Sequence, residues 1–137
     1  MYIQKTQLRE ERVLEGLQIL VADNQPDDLE LLTFILEEDG ASVVSVASLY
    51  EAIEALSYQT LNIIFASINL LKNSTLLAKV KAQALETGKE ILTVAVLDTN
   101  RCTYPKTFLD MGCQTYISMP LDPTEVVSLA AAFTQRL

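Results

Sequence analysis

The chain has 137 residues, and half of them are apolar, which is enough for one domain with a buried core. Ten Lys and Arg residues are scattered among eighteen acidic residues, and the formal net charge is −8. Nucleic acids and anionic membrane surfaces bind to clustered basic residues, which this composition does not provide. We therefore expect neither a nucleic acid nor a membrane as a partner.

Residue types that are missing or scarce exclude several kinds of chemistry. The chain has no histidine, so Ser-His triads and histidine metal ligands are excluded. Cys102 and Cys113 match neither a zinc-site spacing nor a CxxC motif. We expect reduced, structural thiols, with a redox switch as the alternative. Because no apolar run reaches the roughly 18 residues of a membrane helix and residues 1–16 lack a signal-peptide pattern, the sequence predicts a cytoplasmic protein. Because no histidine is available as a base, we also expect that the chain is not an enzyme.

Apolar runs and helical spacings predict strands that alternate with helices along the chain. In chain order, these are a strand at 17–22, a helix from 26 or 27 to 39, a strand at 43–46, a helix from 49, a strand at 63–66, a helix at 74–87, a strand at 91–97, a short helix at 105–110, a strand at 115–118 and a last helix from 123. The strand at 63–66 is apolar without alternation, which is typical of a strand covered on both faces.

Helix boundaries have their own signals in the sequence. Pro26 is suited to the first turn of a helix, and Gly40 to the position after its end. Ser48 and Glu51 form a capping box for the second helix. Asp122, followed by a proline, predicts the N-cap of the last helix.

Alternating strands and helices predict an α/β fold with a parallel sheet and right-handed crossovers. The order expected for five such strands is 2-1-3-4-5, which is a doubly wound, flavodoxin-like sheet. We place this domain at residues 17–137. Residues 1–16 are predicted to form a charged helix or a linker, and both a frayed extension and a packing or dimerising helix stay open.

Polar residues follow the strands at the edge where such sheets carry their sites. Strand one ends at Asp23 and Asn24, strand three at Ser67, strand four at Asp98, and strand five at Ser118, Met119 and Pro120. We expect these groups to line one crevice.

Three segments of the chain resemble receiver domains of two-component response regulators. ILVADNQPDDLELL resembles the first strand and helix of a receiver, GASVVSVASLYEAIEAL the second pair, and GCQTYISMPLDPTEV the last pair. The short charged segment before GLQIL is most similar to receivers attached to hybrid histidine kinases. The resemblance covers about residues 17–135 and implies the flavodoxin-like fold and a role in phosphorelay signal transduction.

In that family an aspartate after strand three accepts a phosphoryl group, and two acids after strand one help it hold Mg2+. A Thr or Ser after strand four and a Lys before a proline contact the phosphoryl oxygens. In this chain the acid pair falls on Asp23 and Asn24, the acceptor on Ser67, the Thr or Ser on Asp98, and the Lys on Met119.

Four departures in one crevice predict that the phosphotransfer chemistry is lost. A serine hydroxyl cannot attack a phosphoramidate without a base, and no histidine is present. Asp98 would repel a phosphoryl group. The resemblance then implies a degenerate pseudo-receiver, a phosphorylation-independent interaction module for a histidine kinase, another regulator or an output protein, with a homodimer left open. A working receiver with an unusual acceptor such as Asp23 stays open, as does phosphorylation of Ser67 by a serine kinase.

Two kept positions concern the partner face. Pro120 matches the family proline, with the Met119–Pro120 bond expected to be cis, and Tyr116 matches the aromatic that moves with the signalling state. Tyr104 and Lys106 are expected to share this switch and partner face. A plain half-buried aromatic on an edge strand is the alternative for Tyr116.

A second function class remains for the same crevice, a metal- or small-ligand-sensing flavodoxin-like domain. Asp23 with Asp98, helped by Asn24, could hold a divalent cation, so a weakly bound Mg2+ is the one cofactor left open. Ser67 and Ser118 would add polar groups for a ligand. The alternative is that Asp23 caps the first helix and Asp98 is solvated.

Overall fold

The computed structural model describes residues 12–73, 75–98 and 112–134. The elements are, in chain order, β1 (Gln18–Ala22), α1 (Pro26–Glu38), β2 (Ser42–Val46), α2 (Leu49–Tyr58), β3 (Ile63–Ser67), α3 (Ile68–Leu71), α4 (Thr75–Thr87), β4 (Leu92–Leu97), β5 (Thr115–Ser118) and α5 (Pro123–Phe133). The predicted helix at 105–110 lies outside the described residues, as do Ser74 and Cys102.

All strand pairs are parallel, and the sheet order is β2-β1-β3-β4-β5. This confirms the predicted doubly wound fold. In the register, Ala22 pairs with Ala66, Ser67 with Val96, and Leu97 with Ser118. Because the strands end at similar heights, the residues that follow them meet at one edge of the sheet.

The three central strands are buried because helices cover both faces of the sheet. Every residue of β3 and of β4 is buried, which matches their continuous apolar sequences. One core cluster contains Phe65 with residues of α1 and α5, and the other contains Ile64 with residues of α2 and α4. Alternation along β3 therefore assigns neighbouring side chains to opposite cores.

Helix boundaries follow the predicted capping residues. The Ser48 hydroxyl accepts a hydrogen bond from the Glu51 amide at 3.2 Å, and the Glu51 carboxylate accepts one from the Ala47 amide at 3.0 Å. The capping box therefore forms, with its return bond one residue earlier than the usual N-cap amide. The Asp122 carboxylate caps α5 by accepting from the Thr124 amide at 3.0 Å.

Residues 12–16 lie against the domain, in the segment for which the sequence left both a frayed extension and a packing helix open. Leu14 is completely buried and belongs to the α1–α5 core, and its amide donates to the Asp39 carbonyl at 2.9 Å. Gly40 ends α1 with φ +99°, and a Cβ there would lie 2.7 Å from the Cβ of Arg12. The core thus extends upstream of residue 17.

Two further observations concern the described residues. Cys113 is a free, buried thiol, and burial raises its pKa to about 11. Among the helices of residues 12–73, 75–98 and 112–134, none is long and apolar enough to cross a membrane.

Candidate functional site: an acidic crevice at the carboxyl edge of the sheet

The carboxyl ends of β1, β3 and β4 form the floor of an open crevice of about 370 Å³. Its position follows from the strand order. The order of the strands reverses between β1 and β3, and the helices that follow these two strands lie on opposite faces of the sheet, which leaves a crevice at their carboxyl ends. Its described lining comprises Asp23, Gln25, Asp28, Ser67, Ile68, Asn69, Val96, Leu97, Asp98 and Met119. The structure therefore brings together four of the seven residues that the sequence placed in this crevice, namely Asp23, Ser67, Asp98 and Met119. Asn24 is exposed and does not line the crevice, and Ser118 and Pro120 do not line it either.

Ser67 is the last residue of β3 and the N-cap of the short helix α3. Its side chain is only 5 % exposed, and its hydroxyl has no hydrogen-bond partner among the described residues. It also makes no capping bond to α3. A buried hydroxyl without a partner costs roughly 1–3 kcal/mol, so this position destabilises the fold, and the oxygen itself is buried beneath the crevice surface.

Asp23 follows β1 and is 4 % exposed. Its carboxylate accepts a hydrogen bond from the Gln25 amide at 2.9 Å. The expectation that Asp23 caps α1 is wrong, because the N-cap residue is Gln25 and the Asp23 bond closes a turn before the helix. Burial raises the pKa of Asp23 above 3.8, the bond from Gln25 opposes this, and the charge of Asp28 adds to the rise.

Asp28, in the first turn of α1, is a crevice residue that the sequence analysis missed. Burial raises the pKa of Asp28 above 3.8, and the negative charges of Asp98 and Asp27 raise it further. Asp98 is exposed at the end of β4. Sequence reasoning could have found Asp28. In doubly wound folds the N-terminus of the helix that follows strand one lies near the carboxyl ends of the strands, and Asp28 is in the first turn of that helix.

The apolar part of the crevice comes from the strand ends and from Met119. Met119 is half-buried and packs against the α1–α5 core, and its bond to Pro120 is cis, as predicted. No Lys or Arg belongs to the described lining. The crevice therefore combines acidic groups with an aliphatic wall.

A Mg2+ ion needs several oxygen ligands around one point. Within residues 12–73, 75–98 and 112–134, no group of three acidic or Cys side chains is arranged to hold a metal ion. At Ser67 the crevice offers a hydroxyl instead of a carboxylate. The described residues do not fit a Mg2+ held by clustered carboxylates, and Asp23 as a metal ligand stays a prediction.

The predicted partner face is described only in part. Tyr116 on β5 is 38 % exposed, and Tyr104 and Lys106 lie outside the described residues.

A second surface, beside α1, carries an exposed aromatic side chain. Phe34 on α1 is 59 % exposed, and it lines a shallow groove of about 590 Å³ between α1 and β2, together with Pro26, Leu29, Glu30, Thr33, Glu37 and Ser45.

No family model matches the chain. A protein from Leptolyngbya boryana, called an uncharacterized 14.6 kDa protein in the sodA1 3′ region, is 25 % identical over 122 residues. These residues cover 89 % of this chain and 93 % of that protein.

Several solved structures similar to this chain are receiver domains. The receiver of Ssk1 from Saccharomyces cerevisiae, crystallised with the histidine phosphotransfer protein Ypd1, has a TM-score of 0.76 and 16 % identity, with 90 % of this chain and 94 % of that chain covered. The receiver of the sensor histidine kinase PA1611 from Pseudomonas aeruginosa, with magnesium in its active-site cleft, has a TM-score of 0.74 and 20 % identity, over 88 % and 98 %.

NtrX from Brucella abortus, crystallised with ADP, is similar with a TM-score of 0.73 and 20 % identity over 86 % of this chain. This chain spans 26 % of that longer protein. At such identities the likeness establishes the fold, and this fold is that of response-regulator receiver domains.

Proposed function

We propose that this chain is a receiver-like domain of two-component signal transduction that acts as a phosphorylation-independent protein-interaction module. The observation that carries the proposal is Ser67, which stands at the end of β3 in the crevice where a receiver would hold its acceptor aspartate. The proposal includes no catalytic step. It implies regulation by occupancy, in which binding of a partner is itself the signal.

The chemistry of the crevice supports the loss of phosphotransfer. The Ser67 hydroxyl has no hydrogen-bond partner among the described residues, so no described base activates it as a nucleophile. The crevice lining includes Met119 and, among the described residues, no basic side chain that would neutralise phosphoryl oxygens. Asp28 and Asp98 add negative charge that repels a phosphoryl group.

Exposed apolar side chains on α1 support an interaction role. Leu31 is 45 % exposed and Phe34 59 % exposed, and aromatic residues such as Phe34 are enriched at protein interfaces. A receiver of the same fold is known in a complex with the histidine phosphotransfer protein Ypd1. A kinase, a phosphotransfer protein, another regulator or an output protein is therefore the class of partner that we propose, and a homodimer is the alternative.

The loss of phosphotransfer is tested with acetyl phosphate and Mg2+, and the mass of the intact protein is measured. We expect no phosphoryl addition to the native protein or to Ser67→Asp, because Asn24, Asp98 and Met119 also depart from a working site. A receiver that retains its acceptor aspartate is the positive control. Phosphoryl uptake by the native protein, or by the Ser67→Asp variant alone, would contradict the proposal.

The interaction is tested by binding the immobilised native protein to candidate two-component proteins with and without acetyl phosphate. Equal recovery in both conditions is expected, and Phe34→Ala should reduce it at least tenfold if α1 is the contact surface. Tyr58→Ala, which changes an exposed aromatic on α2, is the matched control. Recovery that requires the phosphoryl donor would contradict phosphorylation independence.

A further inference from the structure

The shallow groove between α1 and β2 exposes apolar surface. Phe34, which lines it, is 59 % exposed, and Pro26 and Leu29 line it from the same helix. An exposed aromatic side chain beside other apolar groups is typical of a contact surface. We call this surface the α1 groove, and its described lining is Pro26, Leu29, Glu30, Thr33, Phe34, Glu37 and Ser45.

The charged side chains of the α1 groove are acidic. Glu30 and Glu37 are exposed on α1, and no Lys or Arg belongs to the described lining. Their positions on α1 lie about 10 Å apart along the helix axis. These charges favour an occupant with basic side chains. A second copy of the chain is disfavoured, because it would bring a further net charge of −8 against them.

The chain upstream of Arg12 leaves the domain at one end of this groove. The Leu14 amide donates to the Asp39 carbonyl at 2.9 Å, and a Cβ at Gly40 would lie 2.7 Å from the Cβ of Arg12. Asp39 and Gly40 belong to the connection from α1 to β2, where the two walls of the groove meet. Residues 1–11, which lie outside the described residues, are therefore attached beside the end of the groove.

The distances allow this segment to reach the exposed aromatic side chain. Phe34 precedes Gly40 on α1 by about 9 Å along the helix axis. The chain from Leu8 to Arg12 spans about 6 Å as a helix and up to about 14 Å when extended. A segment that follows α1 back from Arg12 therefore brings Leu8 to the level of Phe34.

Residues 1–11 carry the kinds of side chain that suit the α1 groove. The segment reads MYIQKTQLREE, with apolar Ile3 and Leu8, basic Lys5 and Arg9, and acidic Glu10 and Glu11 next to Arg12. Its first nine residues thus combine apolar groups with positive charge and contain no acid. When Leu8 lies on the exposed aromatic ring, Lys5 and Arg9 flank it, as the two carboxylates flank the ring on α1.

We propose that residues 1–11 bind along the α1 groove of their own chain, with Leu8 on Phe34 and with the two basic side chains facing the two carboxylates. Exposed ion pairs contribute little by themselves, but attachment at Arg12 gives the segment a high effective concentration at the groove. The docking does not depend on the proposed function. Its consequence does rest on that function, since a partner protein that contacts α1 would have to displace the segment.

The docking is tested with a nitroxide spin label on residue 6 of the full chain. The label is attached to Thr6→Cys in a Cys102→Ser background. Cys113 takes up little label at neutral pH, because its thiol is buried and its pKa is raised to about 11. The broadening of amide NMR signals by the label then reports which surface lies near residue 6.

The signals of the groove should be broadened selectively. Thr33 and Ser45, whose hydroxyls share a hydrogen bond of 2.7 Å between α1 and β2, are the reporters. Ala130 of α5, which packs on α1 away from the groove, is the reference. We expect a several-fold greater loss of intensity at the two reporters than at the reference. A label that moved freely about Arg12 would broaden both sides of α1 alike.

An exchange of charges assigns the effect to the proposed contacts. Lys5→Glu together with Arg9→Glu should reduce the broadening of the reporters several-fold, because the segment is then repelled by the groove. Adding Glu30→Lys and Glu37→Lys to that variant should restore the broadening. Restoration by a second change is a result that a merely disrupted segment would not give.

The matched control adds Glu54→Lys and Glu86→Lys, exposed acids of α2 and α4, to the reversed segment and should restore nothing. A mixture of isotope-labelled native protein with spin-labelled protein that carries no isotope tests for a second copy. Broadening of the reporters in this mixture would overturn the proposal. Equal broadening on both sides of α1, or broadening that the charge reversal leaves unchanged, would also overturn it.

The two proposals fail separately. Phosphoryl uptake from acetyl phosphate refutes the proposed function and leaves the docking intact. Absence of selective broadening in the groove refutes the docking and leaves the proposed function intact.

Discussion

Ser67 combines deep burial with a hydroxyl that no described group bonds. Removing such a hydroxyl removes its desolvation penalty, so Ser67→Ala should raise the free energy of unfolding by about 1 kcal/mol. Urea denaturation measures the change, and Ser48→Ala, which removes the α2 cap, should lower the same quantity by about 1 kcal/mol. A clear loss of stability in Ser67→Ala would show that its hydroxyl already has a partner in the free protein.

Asp28 bears on stability through its charge. Its pKa is raised above 3.8 by burial and by Asp98 and Asp27. The folded state therefore binds its proton more tightly than the unfolded chain does, and ionisation of Asp28 destabilises the fold as pH rises through the raised pKa. Asp28→Asn should accordingly stabilise the protein at pH 7, by less than about 1 kcal/mol because the group is partly solvated.

The pH dependence of this variant gives the check. The stabilisation by Asp28→Asn should shrink as pH falls through the raised pKa and should vanish well below 3.8, where the native carboxyl is protonated in both states. Thermal unfolding at several pH values measures the difference between variant and native protein. Glu30→Gln, on the same helix and outside the crevice, is the control. A difference that grows on acidification would contradict this account.

At the scale of elements, two amide side chains extend the sheet at its amino edge. The Asn62 side-chain oxygen accepts from the Gln18 amide at 2.7 Å, and its backbone amide donates to the Gln18 carbonyl at 2.8 Å. Gln114 acts in the same way on Thr93, with bonds of 2.8 Å and 3.0 Å. Each side-chain oxygen therefore accepts the hydrogen bond that a backbone carbonyl would accept if the neighbouring strand were longer.

Asn62→Ala should lower the free energy of unfolding by about 1–2 kcal/mol, because the Gln18 amide loses its partner in a partly buried position. Denaturant unfolding measures it, with Gln59→Ala, an exposed residue after α2, as the control. An unchanged midpoint would mean that water replaces the amide oxygen without loss.

Sequence patterns predicted the strands well because each apolar run is bounded by polar residues or glycine. The short helix α3 (Ile68–Leu71) was not predicted, since INLL continues the apolar run of β3 and is too short to display a helical period. The bonds of Asn62 and Gln114 leave no local signal, because they join residues far apart in the chain. At the site, the strand ends placed Asp23, Ser67, Asp98 and Met119 correctly, but Asn24 turned outward and Asp28 entered from a helix.

At the scale of the whole molecule, the sheet separates two cores, and Leu14 closes one of them from outside the α/β pattern. Leu14→Ala should lower the free energy of unfolding by about 2–5 kcal/mol, as for other fully buried leucines. Val13→Ala, at a half-buried neighbour, should have a much smaller effect. Similar small losses in both variants would show that residues 12–16 contribute little to the core and act as a linker.

The rate at which Cys113 is alkylated can report how often the fold opens. With its thiol buried and its pKa raised to about 11, the reactive thiolate is scarce in the closed molecule at neutral pH. In a Cys102→Ser background, the rate of alkylation of Cys113 would follow the population of open molecules wherever reclosing is faster than labelling. One mass measurement over time would then rank every variant above by how often its native state opens, without denaturant.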